Sequence, residues 1–145
     1  MKKMKKIILC ILAISFIIVS VVVYNIYQKN EKIAQSNADN KTYESFYNKE
    51  VLGTDIISII NKATDSNEKN EIEKDEDGNY IENDENSIKI DIKFTELEQV
   101  ITMERINKIG IQQFWKNYGA LNFKCTKIEY HQKTNKVKYM YFEEI

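Results

Sequence analysis

The stretch IILCILAISFIIVSVVVYNIY, residues 7–27, contains no charged residue and decides how the rest of the chain is organised. A helix of this length extends about 31 Å at 1.5 Å per residue, close to the hydrocarbon thickness of a bilayer. A single segment in lipid satisfies its backbone groups only as a helix, which outweighs the low helix propensity of its many β-branched residues. We therefore predict a transmembrane helix over residues 7–27, with membrane lipid as its partner.

The charges that flank this stretch predict its orientation. Lysines stand at positions 2, 3, 5 and 6, and no acid lies among them. Excess positive charge beside a span stays in the cytoplasm, so we predict a cytoplasmic basic tail over residues 1–6 and an extracytoplasmic carboxyl-terminal part. A cleaved secretory signal is the alternative, but the apolar run is long and no small-residue cleavage site follows it. We expect a retained signal anchor in the cell membrane, and this placement makes nucleic acid an unsuitable partner.

The remainder divides into a polar stalk or linker, residues 28–42, and an extracytoplasmic domain, residues 43–145. Residues 29–42 are polar and form either a continuation of the membrane helix or a loose tether. Cys10 lies inside the apolar run and Cys125 lies far along the chain, so the two sulfurs cannot form a disulfide within one molecule. We expect Cys125 to be a small apolar residue on a strand, the alternative being a disulfide between chains.

Apolar spacing predicts the secondary structure of the domain. The spacing is helical over residues 43–52, 54–65 and 97–118, alternates as in a strand over 88–94, and is rich in β-forming residues over 123–130 and 137–142. We expect Thr54 to cap the second of these helices, Asp55 to lie in its first turn and Gly119 to end the third. Asp77-Gly78 predicts a turn, and residues 131–136 predict a hairpin connection. The fold class is therefore α+β, with two helices packed on an antiparallel sheet.

Residues 66–86 hold nine acids against two lysines, a local net charge of −7. With Gly78 as the sixth position of a calcium loop, Glu73, Asp75 and Asp77 occupy the first, third and fifth positions, and Asp84 the twelfth. The flanking β-patterns do not suit a helix–loop–helix. We expect a solvated acidic loop or hairpin and assign no metal site, while calcium binding stays open as the alternative.

Residues 105–141 carry the opposite charge, with eight bases against the single acid Glu129. Such a region can dock an anionic wall polymer, lipid headgroups or an acidic partner, or pair with the acidic stretch of a second copy. It can also simply line the solvent side of a sheet and a helix.

The sequence offers no catalytic constellation, so we assign no catalytic residue and no cofactor and expect no enzyme activity. His131 is the only histidine and falls in the predicted hairpin turn, where we expect it to be exposed. With one histidine and an isolated cysteine, the sequence has too few parts nearby for a Ser–His–Asp or a Cys–His arrangement. Trp115 and the aromatic residues of 139–142 are expected to serve core and sheet packing rather than a ligand platform.

The layout resembles that of pilin-like subunits of bacterial type IV and Tad-type systems. The resemblance lies in the MKKMKK start at 1–6, the apolar helix, the stalk, the stretch VLGTDII at 51–57 and a small sheet-bearing domain. It departs from pilins in lacking an acid within residues 7–27. The chain equally resembles uncharacterised single-span surface proteins of Gram-positive bacteria.

The resemblance implies a structural or assembly component. We predict a single-pass membrane-anchored surface protein that acts through protein–protein association or self-association in the envelope, as an atypical pilin-like or secretion-apparatus component. The alternative is a membrane-tethered binding module for calcium, an anionic wall polymer or another envelope protein.

Overall fold

The structure, a computed structural model, describes residues 2–96 and 100–145 and confirms the α+β class. The chain divides into two compact units, residues 1–35 and 36–145. In chain order the elements are α1 (Lys2–Glu44), β1 (Glu50–Leu52), α2 (Gly53–Lys69), β2 (Lys89–Lys93), β3 (Val100–Thr102), α3 (Met103–Ile109), α4 (Ile111–Tyr118), β4 (Asn122–Tyr130) and β5 (Val137–Glu144).

The first unit is the amino-terminal part of α1, which is long and apolar enough to cross a membrane. Its most apolar window has a mean hydropathy of 3.1, and none of that window is buried. The hydroxyls of Ser15 and Ser20 donate to the carbonyls of Leu12 and Phe16, so these polar side chains are satisfied within the helix. Length and composition therefore fit a membrane anchor or a signal sequence. Residues 28–42 continue this helix instead of forming a loose tether.

The second unit is built on a five-stranded sheet in the order β1-β4-β5-β2-β3. Neighbouring strands run antiparallel except β2 and β5, which run parallel, so the predicted antiparallel sheet is wrong in this pair. The chain leaves β2 and returns as β5 only after β3, two helices and β4. A crossover of this length allows parallel pairing, whereas a tight hairpin enforces antiparallel pairing.

One face of the sheet and the helices enclose a single core. Ile90 and Ile92 of β2 and Phe142 of β5 point into it and are fully buried. The ring of Phe94 lies 6.2 Å from that of Phe114 on α4, with their planes at 68°, an edge-to-face geometry that aromatic pairs favour. The isoleucines of α2 recur at helical spacing and cover the same face.

The predicted helix 54–65 is confirmed as α2, but its cap is not Thr54. The Asp55 carboxylate accepts a hydrogen bond of 3.0 Å from the backbone N–H of Leu52, which satisfies one donor at the start of the helix. The helix begins one residue early, at Gly53, where a β-carbon would lie only 2.1 Å from the carbonyl oxygen of Tyr118. Glycine is required there because two backbone segments cross.

Two predicted helices are wrong at their boundaries. In the predicted helix 43–52, α1 ends at Glu44 and residues 50–52 form edge strand β1, with Val51 opposite Phe123. The predicted helix 97–118 is instead β3, α3 and α4, with residues 97–99 outside the described part of the chain. Gly110 breaks it because its φ of 96° is incompatible with a helix. Gly119 follows the end of α4, as predicted.

The predicted strand 88–94 and the carboxyl-terminal hairpin are confirmed as β2 and the pair β4–β5. The last turns of α1 hold the turn of this hairpin. The Asn40 amide nitrogen donates to the carbonyl of Asn135 at 2.6 Å, and its oxygen accepts from the N–H of Val137 at 2.9 Å. The Ser36 hydroxyl donates to the carbonyl of Thr134. Residues 36–44 are therefore an integral part of the folded unit.

Candidate interaction surface

The second face of the sheet carries polar and aromatic side chains instead of core residues. The alternation of β2 places Lys89, Asp91 and Lys93 opposite the buried isoleucines, and the parallel register sets Asp91 beside Tyr141. Tyr139 and Tyr141 lie on the same face and are half-buried. We call this surface, comprising Lys89, Asp91, Lys127, Glu129, Tyr139 and Tyr141, the tyrosine face.

Tyr139 and Tyr141 form its centre. Their ring centroids are 6.5 Å apart and their planes are inclined by 25°. The Tyr139 hydroxyl donates to Asp91 Oδ2 at 3.1 Å. Burial and the negative charge of Asp91 both raise the pKa of Tyr139, so its hydroxyl remains a donor at neutral pH. The central tyrosine is thus fixed in position.

The two carboxylate oxygens of Asp91 differ in their partners. Its Oδ2 accepts from Tyr139 and lies 3.7 Å from the ammonium of Lys89. Its Oδ1 is buried and finds no donor within the described part of the chain. A buried carboxylate oxygen without a donor costs free energy, of the order of 1–3 kcal/mol. The face therefore has an unsatisfied acceptor beneath its surface, next to the Tyr139 hydroxyl.

A charged pair borders the tyrosines. The Lys127 ammonium lies 2.6 Å from a carboxylate oxygen of Glu129 and 5.5 Å from the centroid of the Tyr139 ring. Lys127 and then Lys138 hold the pKa of Glu129 below its usual value. This face presents aromatic rings with charges of both signs, a composition suited to a polar protein interface.

A surface cleft of about 700 Å³ adjoins this face and shares Glu129 with it. Residues 82–84 line one side and residues 129–133 the other. The Lys138 ammonium bridges the two, 3.0 Å from a carboxylate oxygen of Glu82 and 3.8 Å from one of Glu129. Glu82 is the principal reason that the pKa of Lys138 is raised.

The residues of the alternative reading, a calcium loop, are not arranged around a common point. Both carboxylate oxygens of Asp75 accept hydrogen bonds from Asn79, and this turn lowers the pKa of Asp75. Asp84 instead lies 3.4 Å from the ammonium of Lys133. Among the described residues no group of three or more histidine, cysteine or acidic side chains is arranged to hold a metal ion. The Asp77-Gly78 turn is confirmed, with Gly78 at φ 77°.

The acidic and basic regions meet within one molecule. Glu82 lies against Lys138, Asp84 and Glu85 against Lys133, and the Lys108 ammonium donates to the carbonyl of Asp77. Part of the charge that the alternative of head-to-tail contact between copies would use instead fixes the acidic loop on the carboxyl-terminal hairpin.

His131 and Cys125, the side chains best suited to acid–base and nucleophilic chemistry, are both buried. His131 is 3 % exposed, so the expectation of an exposed turn histidine is wrong. Its Nε2 donates to the carbonyl of Ser87 at 2.7 Å, which ties the hairpin turn to the acidic loop. Cys125 is fully buried on β4, as expected, and burial raises the pKa of its thiol to about 11.

The alternation of residues 137–142 predicts that Tyr139 and Tyr141 share one face of the sheet and Phe142 the other, but it does not predict which face is open. Phe142 is core, as expected, whereas Tyr139 and Tyr141 lie on the open face. Trp115, expected in the core, is 59 % exposed on α4. The alternation in β2 and β5 was a sufficient signal for the tyrosine face, but the parallel register that joins the two strands was not visible. Comparison with protein-family models, with curated proteins and with solved structures finds no match to this chain.

Proposed function

We propose that this chain is a non-enzymatic, single-pass membrane protein whose extracytoplasmic domain binds a protein partner in the envelope through the tyrosine face. The observation that carries the proposal is the pair of half-buried tyrosines, Tyr139 and Tyr141, which lie beside the Asp91 carboxylate on an open sheet face. A partner that packs on this face covers the two rings and removes their apolar surface from water.

The composition of the face favours protein over other partners. Tyrosines carry much of the binding free energy in protein interfaces because they bury a large, stiff surface and still donate a hydrogen bond. The charges of the face are of both signs and partly paired, as between Lys127 and Glu129. An anionic polymer would instead meet the carboxylates of Asp91 and Glu129 on the same surface.

The finer parts of the proposal rest on the amino-terminal sequence. The four lysines before the apolar stretch support a cytoplasmic amino terminus and a retained anchor. The proposal has two versions that differ in the partner. In the first, the chain is a pilin-like subunit and its partner is a second copy of itself. In the second, it is a secretion-apparatus component and its partner is a different protein. Both versions use the same face.

The test is site-specific photocrosslinking of the full-length chain in its native host. A benzophenone amino acid replaces Tyr141, and the control replaces Asn61, which is exposed on α2 on the opposite side of the sheet. We expect one protein adduct of discrete mass from position 141 and none from position 61. Asp91→Asn, which keeps the shape and the acceptor for Tyr139 but removes the charge, should weaken that adduct severalfold.

The adduct's mass separates the versions. Twice the mass of this chain identifies a second copy, and another mass, with the crosslinked peptide sequenced, identifies a different protein. If positions 141 and 61 give the same set of several adducts, the crosslinking is not specific and the proposed face is contradicted. An adduct whose yield does not change in Asp91→Asn contradicts it as well. An adduct to lipid or glycan alone contradicts the protein partner.

A further inference from the structure

The charges of the tyrosine face form an ordered pattern around its two rings. The strand order places β5 between β4 and β2, and the registers of both pairs align the residues of these three strands in rows across the sheet. From β4 to β2 the rows read Glu129–Tyr139–Lys89 and Lys127–Tyr141–Asp91. Each ring thus stands between an acid and a base, and the second row carries the two signs in the opposite order.

Contacts between the two rows show that their side chains share one surface. The Lys127 ammonium lies 5.5 Å from the centroid of the Tyr139 ring, and the Tyr139 hydroxyl donates to Asp91. The charged side chains at the border of the face are accessible. Those of Lys89 and Lys127 are 52 % and 58 % exposed, and that of Glu129 is 37 % exposed. A second molecule can therefore meet charges of both signs together with the rings.

We infer that the tyrosine face binds the same face of a second copy of this chain, about a two-fold axis that runs across the strands. Such an axis turns the second copy over and exchanges the two rows. Glu129 of each copy then faces Lys127 of the other, and Asp91 faces Lys89. A symmetric dimer needs a surface that complements itself, and this arrangement of charges does so.

The stiff aromatic rings meet at the centre of this dimer and lose apolar surface to water less, because each ring packs on the other row's ring. The inference rests on the proposed function, since it names the partner of the same face.

The next row of the sheet favours an axis across the strands over one along them. From β4 to β2 this row reads Lys124–Glu143–Lys93. An axis along the strands would lay Glu143 on its own counterpart and Lys93 on Lys124, so that like charges would face each other. An axis across the strands instead carries Glu143 toward the opposite end of the face. Lys138 lies at that end, 3.8 Å from a carboxylate oxygen of Glu129, so the added contact joins opposite charges.

Sedimentation equilibrium of the full-length chain in density-matched detergent micelles measures this dimer. The test variants are Lys127→Glu and Glu129→Lys, which reverse two exposed charges that face each other between copies. Each variant alone should weaken the dimer about tenfold or more, because symmetry places two pairs of like charges in every dimer. An equimolar mixture of the two variants should recover the affinity of the wild-type chain, because positions 127 and 129 then carry opposite charges across the interface. Near-ultraviolet circular dichroism of each variant establishes that it is folded.

Matched reversals on α2 provide the control. Lys69 and Asp65 are exposed and lie four residues apart on this helix, which covers the core on the other side of the sheet. Lys69→Glu and Asp65→Lys change the net charge by the same amounts as the test variants. Alone or mixed, they should leave the dissociation constant within about twofold of the wild-type value.

Three results would overturn the inference. The first is a wild-type chain that stays monomeric at about 100 μM. The second is a dimer that neither variant weakens, because it then forms through another surface, such as the apolar helix. The third is weakening without recovery in the mixture, because Lys127 and Glu129 then do not face each other.

Failure of this inference is distinguishable from failure of the proposed function. A monomeric chain whose position 141 crosslinks to a different protein in the host overturns the second copy and leaves the tyrosine face as the binding surface.

Discussion

The side chain of Asn40 offers the sharpest test of how the domain is held together, and Asn40→Ala is the change that tests it. This side chain is only 4 % exposed. It makes two hydrogen bonds with the hairpin turn, to the carbonyl of Asn135 at 2.6 Å and from the N–H of Val137 at 2.9 Å. Val137 is itself buried, so alanine leaves its N–H without a partner and without water.

The expected loss follows from these two bonds. Each net hydrogen bond contributes about 1 kcal/mol, and a buried group left unsatisfied costs about 1–3 kcal/mol. Alanine has a higher helix propensity than asparagine, which offsets roughly 0.5 kcal/mol of this loss of stability. We therefore expect the free energy of unfolding to fall by about 2–4 kcal/mol, a large fraction of the stability of a small domain.

The assay is urea unfolding of the full-length chain in detergent micelles, followed by near-ultraviolet circular dichroism of the aromatic residues. The matched control is Asn61→Ala, an exposed asparagine in α2 that gains the same helix propensity and loses no buried bond. It should change the free energy of unfolding by less than about 0.5 kcal/mol. If Asn40→Ala behaves like Asn61→Ala, residues 36–44 are not the support that we describe.

Three further predictions use the same unfolding assay. Asn67→Ala should cost about 2–4 kcal/mol, because this buried side chain donates to the carbonyl of Ile88 and accepts from its N–H, both at 2.8 Å. Gly53→Ala should cost about 3 kcal/mol, since the new methyl group meets the carbonyl oxygen of Tyr118 at 2.1 Å. The free energy of unfolding should fall as the pH rises from 9 to 11, because folded Cys125, with a pKa of about 11, keeps a proton that the unfolded thiol releases near 9. Cys125→Ala should reduce this slope, most between pH 9 and 10, where tyrosines such as Tyr139 with a raised pKa contribute little. An unchanged slope contradicts the assigned burial.

The elements with strong local patterns could be predicted from the sequence. The isoleucines of α2 repeat at helical spacing, β2 alternates over five residues, and the aromatic runs of β4 and β5 flank a polar turn. The edge strands β1 and β3 have only three residues each, too few to show a period of two. Gly110 divides the predicted helix 97–118 into α3 and α4.

Features that depend on distant residues could not be predicted. We expected His131 to be exposed because it falls in the predicted hairpin turn. The acidic loop instead folds back over it and supplies the carbonyl of Ser87. The tyrosine face needs the parallel register of β2 and β5, which sets Asp91 beside Tyr141 across a long crossover. Trp115 is exposed on α4, where Phe114 is the buried residue, and the spacing of apolar residues over 97–118 did not distinguish these two neighbours.

Proteolysis of intact cells tests the central claim most directly, namely that this chain is a retained anchor carrying an extracytoplasmic domain. Protoplasts or spheroplasts of the native host are treated with a non-penetrating protease, and the masses of the full-length chain and its fragments are measured in washed membranes and in the medium. We expect the uncleaved 17.1 kDa chain in untreated membranes, and after treatment only a fragment that retains the amino terminus and the apolar helix. A chain shortened at its amino terminus and released into the medium, or a domain that stays protected until the cells are lysed, contradicts the account.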